Sequence, residues 1–356
     1  MLDRIREVAS RHGFQAVAFW PISPLGDELE ILQQWLDRGF SGSMGYLTRQ
    51  ASSGMTLDTN TPWARGGVSF LVRWDELHHG SETPWDAYVA SYARGLDYHR
   101  VVQDRLQAIA AEIGFSRHQV QVDATVLPER ALARRAGLGW IGKNRFLTHP
   151  KLGGDVCLSE LLVDQPLCSV EVEIQQAPCG DCGACMDACP TGALTPHGVD
   201  AARCLAYHTT QNRGTIPIEL RGLINHILGC DLCLRACPYG KAAGEGGVSD
   251  DGFLGRLIAS RDRDEFSSLA GRGPLAYVGR RTVVRSAVVV AANRQRDDLV
   301  DCIADALCTD PSPLVRAHAA WALGRFDTAV PRLLLKRRHG IEPHSAVREE
   351  IAAALS

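Results

Sequence analysis

Eight cysteines in the middle of the chain are spaced as iron–sulfur ligands. The first run is Cys179-x2-Cys182-x2-Cys185-x3-Cys189, followed by Pro190. The second is Cys230-x2-Cys233-x3-Cys237, followed by Pro238, with Cys204 upstream. Short spacings set three thiolates around one corner of a cubane, and in two-cluster ferredoxins the cysteine before proline serves the other cluster. The same rule predicts two [4Fe–4S] clusters here. One takes Cys179, Cys182, Cys185 and Cys237; the other takes Cys189, Cys204, Cys230 and Cys233. Cys204 is the spare cysteine between the runs, so the insert from 205 to 229 must loop out and return. Zinc and disulfides are the competing uses, but zinc is satisfied by four ligands and does not call for a doubled C-x3-C-P pattern. Cys157, Cys168, Cys302 and Cys308 lack ligand spacing and are expected to be small buried hydrophobes.

The elements that hold these ligands fall into three stretches. With 356 residues, of which 45% are hydrophobic, the chain can fill two or three cores. Residues 1–165 read as mixed α/β. Helical spacing covers 2–12, 26–38 and 98–114, and β-rich runs cover 15–20, 67–72, 119–122 and 156–163. The ligand-rich stretch is 166–243, and GEGGVSDDG (244–252) is a linker by composition. From 253 to 356 the sequence turns helical and repeats itself. VRSAVVVAA (284–292), VRAHAAWAL (315–323) and VREEIAAAL (347–355) share a Val-Arg start and recur at intervals of 31 and 32 residues. That pattern suits stacked helix pairs of the HEAT type, with three unrelated helices as the alternative. The fold class expected is therefore α+β.

Two motifs point elsewhere and fail on context. Gly137-Leu-Gly139-Trp-Ile-Gly142-Lys-Asn144 approaches both a dinucleotide fingerprint and a P-loop. The preceding ERALARRA is helical rather than a strand, and Asn144 stands where a magnesium-binding hydroxyl is needed. Asp97-Tyr-His99-Arg-Val-Val102 resembles the D-x-H-x-x-G motif that supplies a histidine to cobalamin, with Val102 in place of the glycine.

Charge gives a modest nucleic-acid signal. The net charge is -3, yet residues 271–356 carry 13 basic and 9 acidic residues. Lys336, Arg337 and Arg338 are the densest cluster and could meet phosphates, or could be a solvated helix end. The N-terminus has an amphipathic helical pattern and no apolar signal-peptide core, and no run of eighteen apolar residues occurs. A cytoplasmic protein with no membrane partner is expected.

In combination, SYARGLDYH (91–99), VDATVLPERALARRAGLGWIGKN (122–144), SELLVD (159–164), the cysteine runs and CLAYHTTQNRGTIP (204–217) resemble the epoxyqueuosine reductases over residues 1–330. The resemblance implies a nitroreductase-like cobalamin-binding domain (1–165), a ferredoxin-like two-cluster module (166–243) and an all-α HEAT-like domain (253–356). It implies reduction of the epoxide of epoxyqueuosine, at the wobble position of tRNA, to the alkene of queuosine. Electrons would reach cobalamin through the clusters, and an acid would protonate the departing oxygen. By similarity that acid is Asp123, whose pKa an apolar pocket would raise by desolvation. Read without the family, Asp123 would cap the helix containing ERALARRA. Tyr92, Arg94, Tyr98, Trp140, Lys143, Asn144, Thr209, Thr210 and Gln211 fall in segments that look like cofactor and substrate walls. Gly137 and Gly139 would let a loop approach the corrin closely.

The chain departs from the family at Gln211, where Glu is common. It also departs in LGGDVCLSELL, and in QASSGMTLDTN (50–60) after Gly42, Met44, Tyr46 and Leu47. No flavin or nicotinamide site is legible, so an external donor of flavodoxin or ferredoxin type is expected, acting on a monomer. Two other functions fit the same residues. One is a cobalamin and iron–sulfur paralogue acting on a small molecule, as reductive dehalogenases do. The other is an electron carrier whose repeats dock a protein.

Overall fold

The computed structural model describes residues 1–52, 61–79, 83–123, 127–167, 176–240, 252–326 and 329–356. The sheet of the N-terminal region is built from β1 (Ala16–Pro21), β2 (Gly66–Arg73), β3 (His118–Gln121) and β6 (Val156–Val163). Its order is β1-β2-β6-β3, with every neighbouring pair antiparallel. These are the four expected β-rich runs, shifted by a residue or two. The central strands β2 and β6 are buried along almost their whole length, as covering both faces requires. The helices Leu2–Arg11, Gly26–Asp37 and Tyr98–Ile113 match the expected helical stretches. Gly67 lies where a Cβ would sit 2.2 Å from the Trp20 ring, so only glycine lets that indole cross the sheet. Trp20 Nε1 and Ser69 Oγ both donate to the buried Glu160, at 3.0 and 2.7 Å. Burial pushes that carboxyl well above its usual range, so it is neutral.

The chain divides into two compact units that take up its segments out of order. The first comprises 1–81, 97–202 and 231–244; the second comprises 82–96, 203–230 and 245–356. Within the first unit, the helix Glu129–Arg135 leads into β4 (Trp140–Ile141), which pairs with β5 (Leu147–Thr148). The segment that mimicked a nucleotide loop is thus a short hairpin after a helix. Gly137 closes the helix in a left-handed conformation (φ 78). A Cβ on Gly139 would fall 2.1 Å from the Thr148 carbonyl oxygen. Gly137 thus ends the helix, and Gly139 allows the close backbone approach at the start of the hairpin.

The second unit shows what the Val-Arg repeat does. Its three copies lie in the helices Arg280–Asn293, Pro313–Leu323 and Ser345–Leu355. Val284, Val315 and Val347 are fully buried. The arginine of each copy bonds main-chain carbonyls. Arg316 donates to Asp310, and Arg348 donates to Glu342 and Pro343. Arg285 donates to His208, Asn212 and Gly214. The first copy therefore holds the CLAYHTTQNRGTIP segment where later copies hold their own connecting turns. His318 joins it: its Nε2 accepts the Ile216 N–H at 3.2 Å, and burial pushes its pKa far down, so the ring is neutral. Glu342 takes both Arg316 and Arg338, which outweigh burial and hold its carboxyl down at about 2.

Candidate functional site

Four cysteines line one open pocket in the first unit: Cys179, Cys182, Cys185 and Cys237. This is the first ligand set expected from the spacing. Cys182 and Cys185 flank the start of the short helix Ala184–Asp187, and Cys237 follows the helix Leu232–Arg235. Burial first, and then neighbouring thiols, pushes the thiols of Cys185 and Cys237 up. A cationic iron–sulfur core would relieve the repulsion that opposes ionisation of Cys185 and Cys237. Among the described residues no three His, Cys, Asp or Glu side chains are grouped as a site for a single metal ion.

The β4–β5 hairpin walls this cavity with Trp140, Gly142, Lys143, Asn144 and Thr148. Lys143 Nζ donates to the carbonyls of Gly180 and Cys182 at 2.7 and 2.9 Å. Asn144 is buried, and its Nδ2 lies 3.4 Å from the Cys233 carbonyl. Trp140 stands edge-on to Tyr239 at 5.7 Å. Three residues read as cofactor or substrate walls are thus brought together, and their place is against the cysteines.

Of the remaining cysteines in the ligand runs, Cys189 Sγ shares a hydrogen bond with the Thr191 hydroxyl at 3.4 Å. Burial opposes its ionisation, but that hydroxyl and the main-chain N–H groups of Thr191, Ala193 and Leu194 hold the thiol below its usual value. Cys233 lies in the same unit, while Cys204 and Cys230 belong to the second. Outside the runs, Cys157 is buried as expected. Cys302 is half-buried and Cys308 exposed, because Cys308 sits near the solvent end of the helix Val300–Thr309. Cys168 lies outside the described residues.

A second polar group in the first unit is built around Asp123. This residue has φ 52, a left-handed conformation that is costly for a side chain bearing Cβ and is concentrated at functional sites. Its N–H is held by Glu129 Oε1 at 2.8 Å. Its carboxylate accepts from the Tyr98 hydroxyl and faces His99 Nε2 at 3.6 Å. His99 Nδ1 is engaged by Asp97 at 2.7 Å, and Asp97 caps the Tyr98–Ile113 helix by accepting from the His99 N–H. Tyr98 stacks on His99 and meets the edge of Trp74. The Asp123 side chain is 63% exposed, whereas that of His99 is 25% exposed.

The protons are not where sequence reasoning put them. The hydrogen bond from His99 holds the Asp123 carboxyl below its usual range, against the rise expected from desolvation. Burial alone would lower His99, but Asp123 and Asp97 outweigh it and raise the imidazole to about 9. Burial and the charge of Asp123 push Glu129 up to about 8. At neutral pH the group is therefore an exposed carboxylate backed by an imidazolium and a neutral acid. Nor does Asp123 cap the following helix, whose N-cap is Pro128. His99 and Glu129 escaped the sequence reading as members of this group. The available signals were the D-x-H pair at a helix start and the acid six residues after Asp123.

The other expected wall residues lie in the second unit. Tyr92 packs against its core, close to Gly229, and Arg94 follows the turn Ser91–Ala93. Thr209 is buried, donates to the Leu205 and Ala206 carbonyls, and accepts the Gly229 N–H. Thr210 donates to the Ala206 carbonyl, and Gln211 ends the Leu205–Thr210 helix. These hydroxyls shape the segment between Cys204 and Cys230. Lys336 and Arg337 are exposed, whereas Arg338 is paired with Glu342.

A four-thiolate cavity, an acid–base group and helical repeats define an iron–sulfur oxidoreductase. Residues 178–240 match the 4Fe-4S double cluster binding domain, and residues 278–356 match the HEAT repeats. Residues 55–126 match the family described as epoxyqueuosine reductase QueG, DUF1730. The chain belongs to the epoxyqueuosine reductase family. It is 36% identical to the epoxyqueuosine reductase of Pseudomonas aeruginosa, over 91% of this chain and 94% of that one. It is 34% identical to that of Xanthomonas campestris, over 90% and 95%. The fold matches the crystal structure of an epoxyqueuosine reductase with a tRNA-Tyr epoxyqueuosine-modified tRNA stem loop. The TM-score is 0.84 at 25% identity, covering 99% of this chain and 97% of that one.

Proposed function

We infer that this chain is an oxidoreductase that reduces the epoxide of epoxyqueuosine in tRNA to the alkene of queuosine. The change consumes two electrons and two protons and releases the epoxide oxygen as water. The observation that carries the reading is that one compact unit of a family member holds both halves of this chemistry. The four-thiolate cavity can hold an electron-carrying cluster. The Tyr98–His99–Asp123–Glu129 group can hold and move protons.

The exposed Asp123 is the member of that group able to meet the substrate oxygen, and His99 is its proton store. As charge grows on the opening epoxide, the His99 imidazolium gives up its proton and the Asp123 carboxylate relays it to the departing oxygen, leaving His99 neutral. Tyr98 fixes the carboxylate, and Glu129 fixes the strained main chain beneath it. The second cluster is assigned to Cys189, Cys204, Cys230 and Cys233. Cys189, whose thiol is held below its usual value by the hydrogen bonds it accepts, suits that role.

Cobalamin in a nitroreductase-like N-terminal domain completes the proposal. Both ring nitrogens of His99 are taken by Asp97 and Asp123, so this helix offers cobalt no imidazole. Tyr98, which donates to Asp123, would line the wall of a bound corrin beside the acid. When bound, cobalamin supplies a low-potential cobalt centre that turns single electrons into a two-electron attack on carbon. The three-part division at 1–165, 166–243 and 253–356 then reads as chemistry, electron supply and tRNA docking. Lys336 and Arg337 are available to phosphates. An external donor delivers the electrons. No described helix is long and apolar enough to cross a membrane.

Expression in a bacterium lacking its own epoxyqueuosine reductase tests this reading. Mass spectrometry of its tRNA nucleosides should show queuosine restored by the native chain and epoxyqueuosine persisting with Asp123→Asn. Persistence with both, at normal protein and iron levels, would refute it.

A further inference from the structure

We propose that Lys143 is the positioning residue of the first cluster: it ties the ligand loop to the β4–β5 hairpin and supplies the cation that favours the reduced state. Two independent features place it there. Lys143 lines the cavity together with Cys179, Cys182, Cys185 and Cys237. Its ammonium also donates to two carbonyls of the ligand loop itself, Gly180 at 2.7 Å and Cys182 at 2.9 Å. The hairpin is built to deliver it. A Cβ on Gly142 would lie 2.8 Å from Asn144 Oδ1 and 3.9 Å from Cys179 Sγ, so glycine is needed for this close approach. On the other side of Lys143, buried Asn144 turns its amide to the Cys233 carbonyl and accepts the Phe146 N–H at 3.3 Å. Arg145 donates to the Thr195 and Pro196 carbonyls at 3.1 and 2.7 Å, tying the hairpin to the far end of the same ligand segment.

The charge follows from cluster chemistry. A [4Fe–4S] core of charge 2+ held by four thiolates has net charge -2, and one electron from an external reductant takes it to -3. A fixed ammonium against the ligand loop stabilises the more negative state, since charge and hydrogen bonds around the sulfurs set the potential. Lys143 is bonded to carbonyls and forms no ion pair among the described residues. Lys143 therefore makes the first cluster easier to reduce than its thiolates alone would allow, and keeps Cys182, the exposed ligand, in register.

The inference rests on the first cluster being held by these four cysteines. Native protein, Lys143→Gln and Lys143→Arg are reconstituted anaerobically as full chains, and each is assayed for iron and titrated with dithionite under electron paramagnetic resonance. Glutamine keeps a donor and removes the charge; arginine keeps both. One of the two cluster signals should become harder to reduce in Lys143→Gln. At fixed potential its reduced-to-oxidised ratio should fall about tenfold, equivalent to about 59 mV for a one-electron couple. The other signal, and both signals in Lys143→Arg, should stay near native. Loss of half the iron in Lys143→Gln with retention in Lys143→Arg supports the same role. Unchanged potentials and iron in Lys143→Gln, or equal damage in both variants, overturn it. Native protein without two four-iron signals would instead refute the underlying cluster assignment.

Discussion

Replacing His99 by Gln should reduce single-turnover reduction at pH 7 by about a thousandfold while leaving both clusters loaded. The two carboxylates that face the His99 imidazole outweigh its burial and raise it from 6.5 to about 9. That rise of about 2.5 units corresponds to roughly 3 kcal/mol of preference for the protonated ring, less what solvent screening removes. The His99–Asp123 pair thus keeps a shared proton until about pH 9. Without His99, Asp123 reverts toward the ordinary value of 3.8. An acid of that strength is protonated in only about one molecule in 10³ at pH 7. The native rate should be level from pH 6 to about 8, where Glu129 begins to ionise beside Asp123, and should fall through 9. In His99→Gln the falling limb should move below pH 6. The assay is anaerobic single turnover on epoxyqueuosine-containing tRNA, with nucleosides quantified by mass spectrometry and cluster absorbance recorded at each pH. Superimposable native and variant profiles would refute the assignment of His99 as the proton store.

Glu129→Gln should stabilise the protein at alkaline pH. A carboxyl with its folded pKa raised from 4.5 to about 8 contributes stability fully below 4.5, and that contribution is lost as pH rises through 8. The variant, whose amide oxygen can still accept the Asp123 N–H, should therefore match the native Tm at pH 4 and exceed it at pH 8. Gly139→Ala should cost at least about 2 kcal/mol, because its Cβ meets the Thr148 carbonyl at 2.1 Å. Distortion of the hairpin should cut iron toward half, measured colorimetrically. Arg285→Leu should lower stability by about 3 kcal/mol in denaturant unfolding, since it removes a buried guanidinium from the carbonyls of His208, Asn212 and Gly214 and strands that of buried His208. It should also weaken iron retention, because those carbonyls belong to the segment that begins at Cys204.

The cysteine spacing and the helical and strand periodicities were legible because both are local. Cluster ligands need fixed short intervals, and a half-buried helix or strand repeats its apolar residues every turn or every second residue. The Val-Arg repeat was legible for the same reason, since each copy buries its valine and spends its arginine on carbonyls. The sheet order was not legible, because it depends on β6, the last of the four strands in the chain, inserting between β2 and β3. The acid–base group was half legible. Asp123 came from a motif, but His99 lies 24 residues earlier, and only the fold sets its ring against that carboxylate. The direction of the Asp123 shift was missed for the same reason, because desolvation is a reasonable expectation until a cation appears beside it. Lys143 and Asn144 sat in a segment that sequence could mark as special. The hairpin decides that they face thiolates.

The central claim is tested most directly by giving the reconstituted chain, with cobalamin, dithionite and tRNA carrying epoxyqueuosine under anaerobic conditions, and measuring the nucleosides after digestion. The account predicts queuosine in place of epoxyqueuosine, with mass lower by one oxygen, and no conversion when Cys237→Ser removes a ligand of the first cluster. Unreduced epoxyqueuosine in the presence of two loaded clusters and bound cobalamin would contradict it.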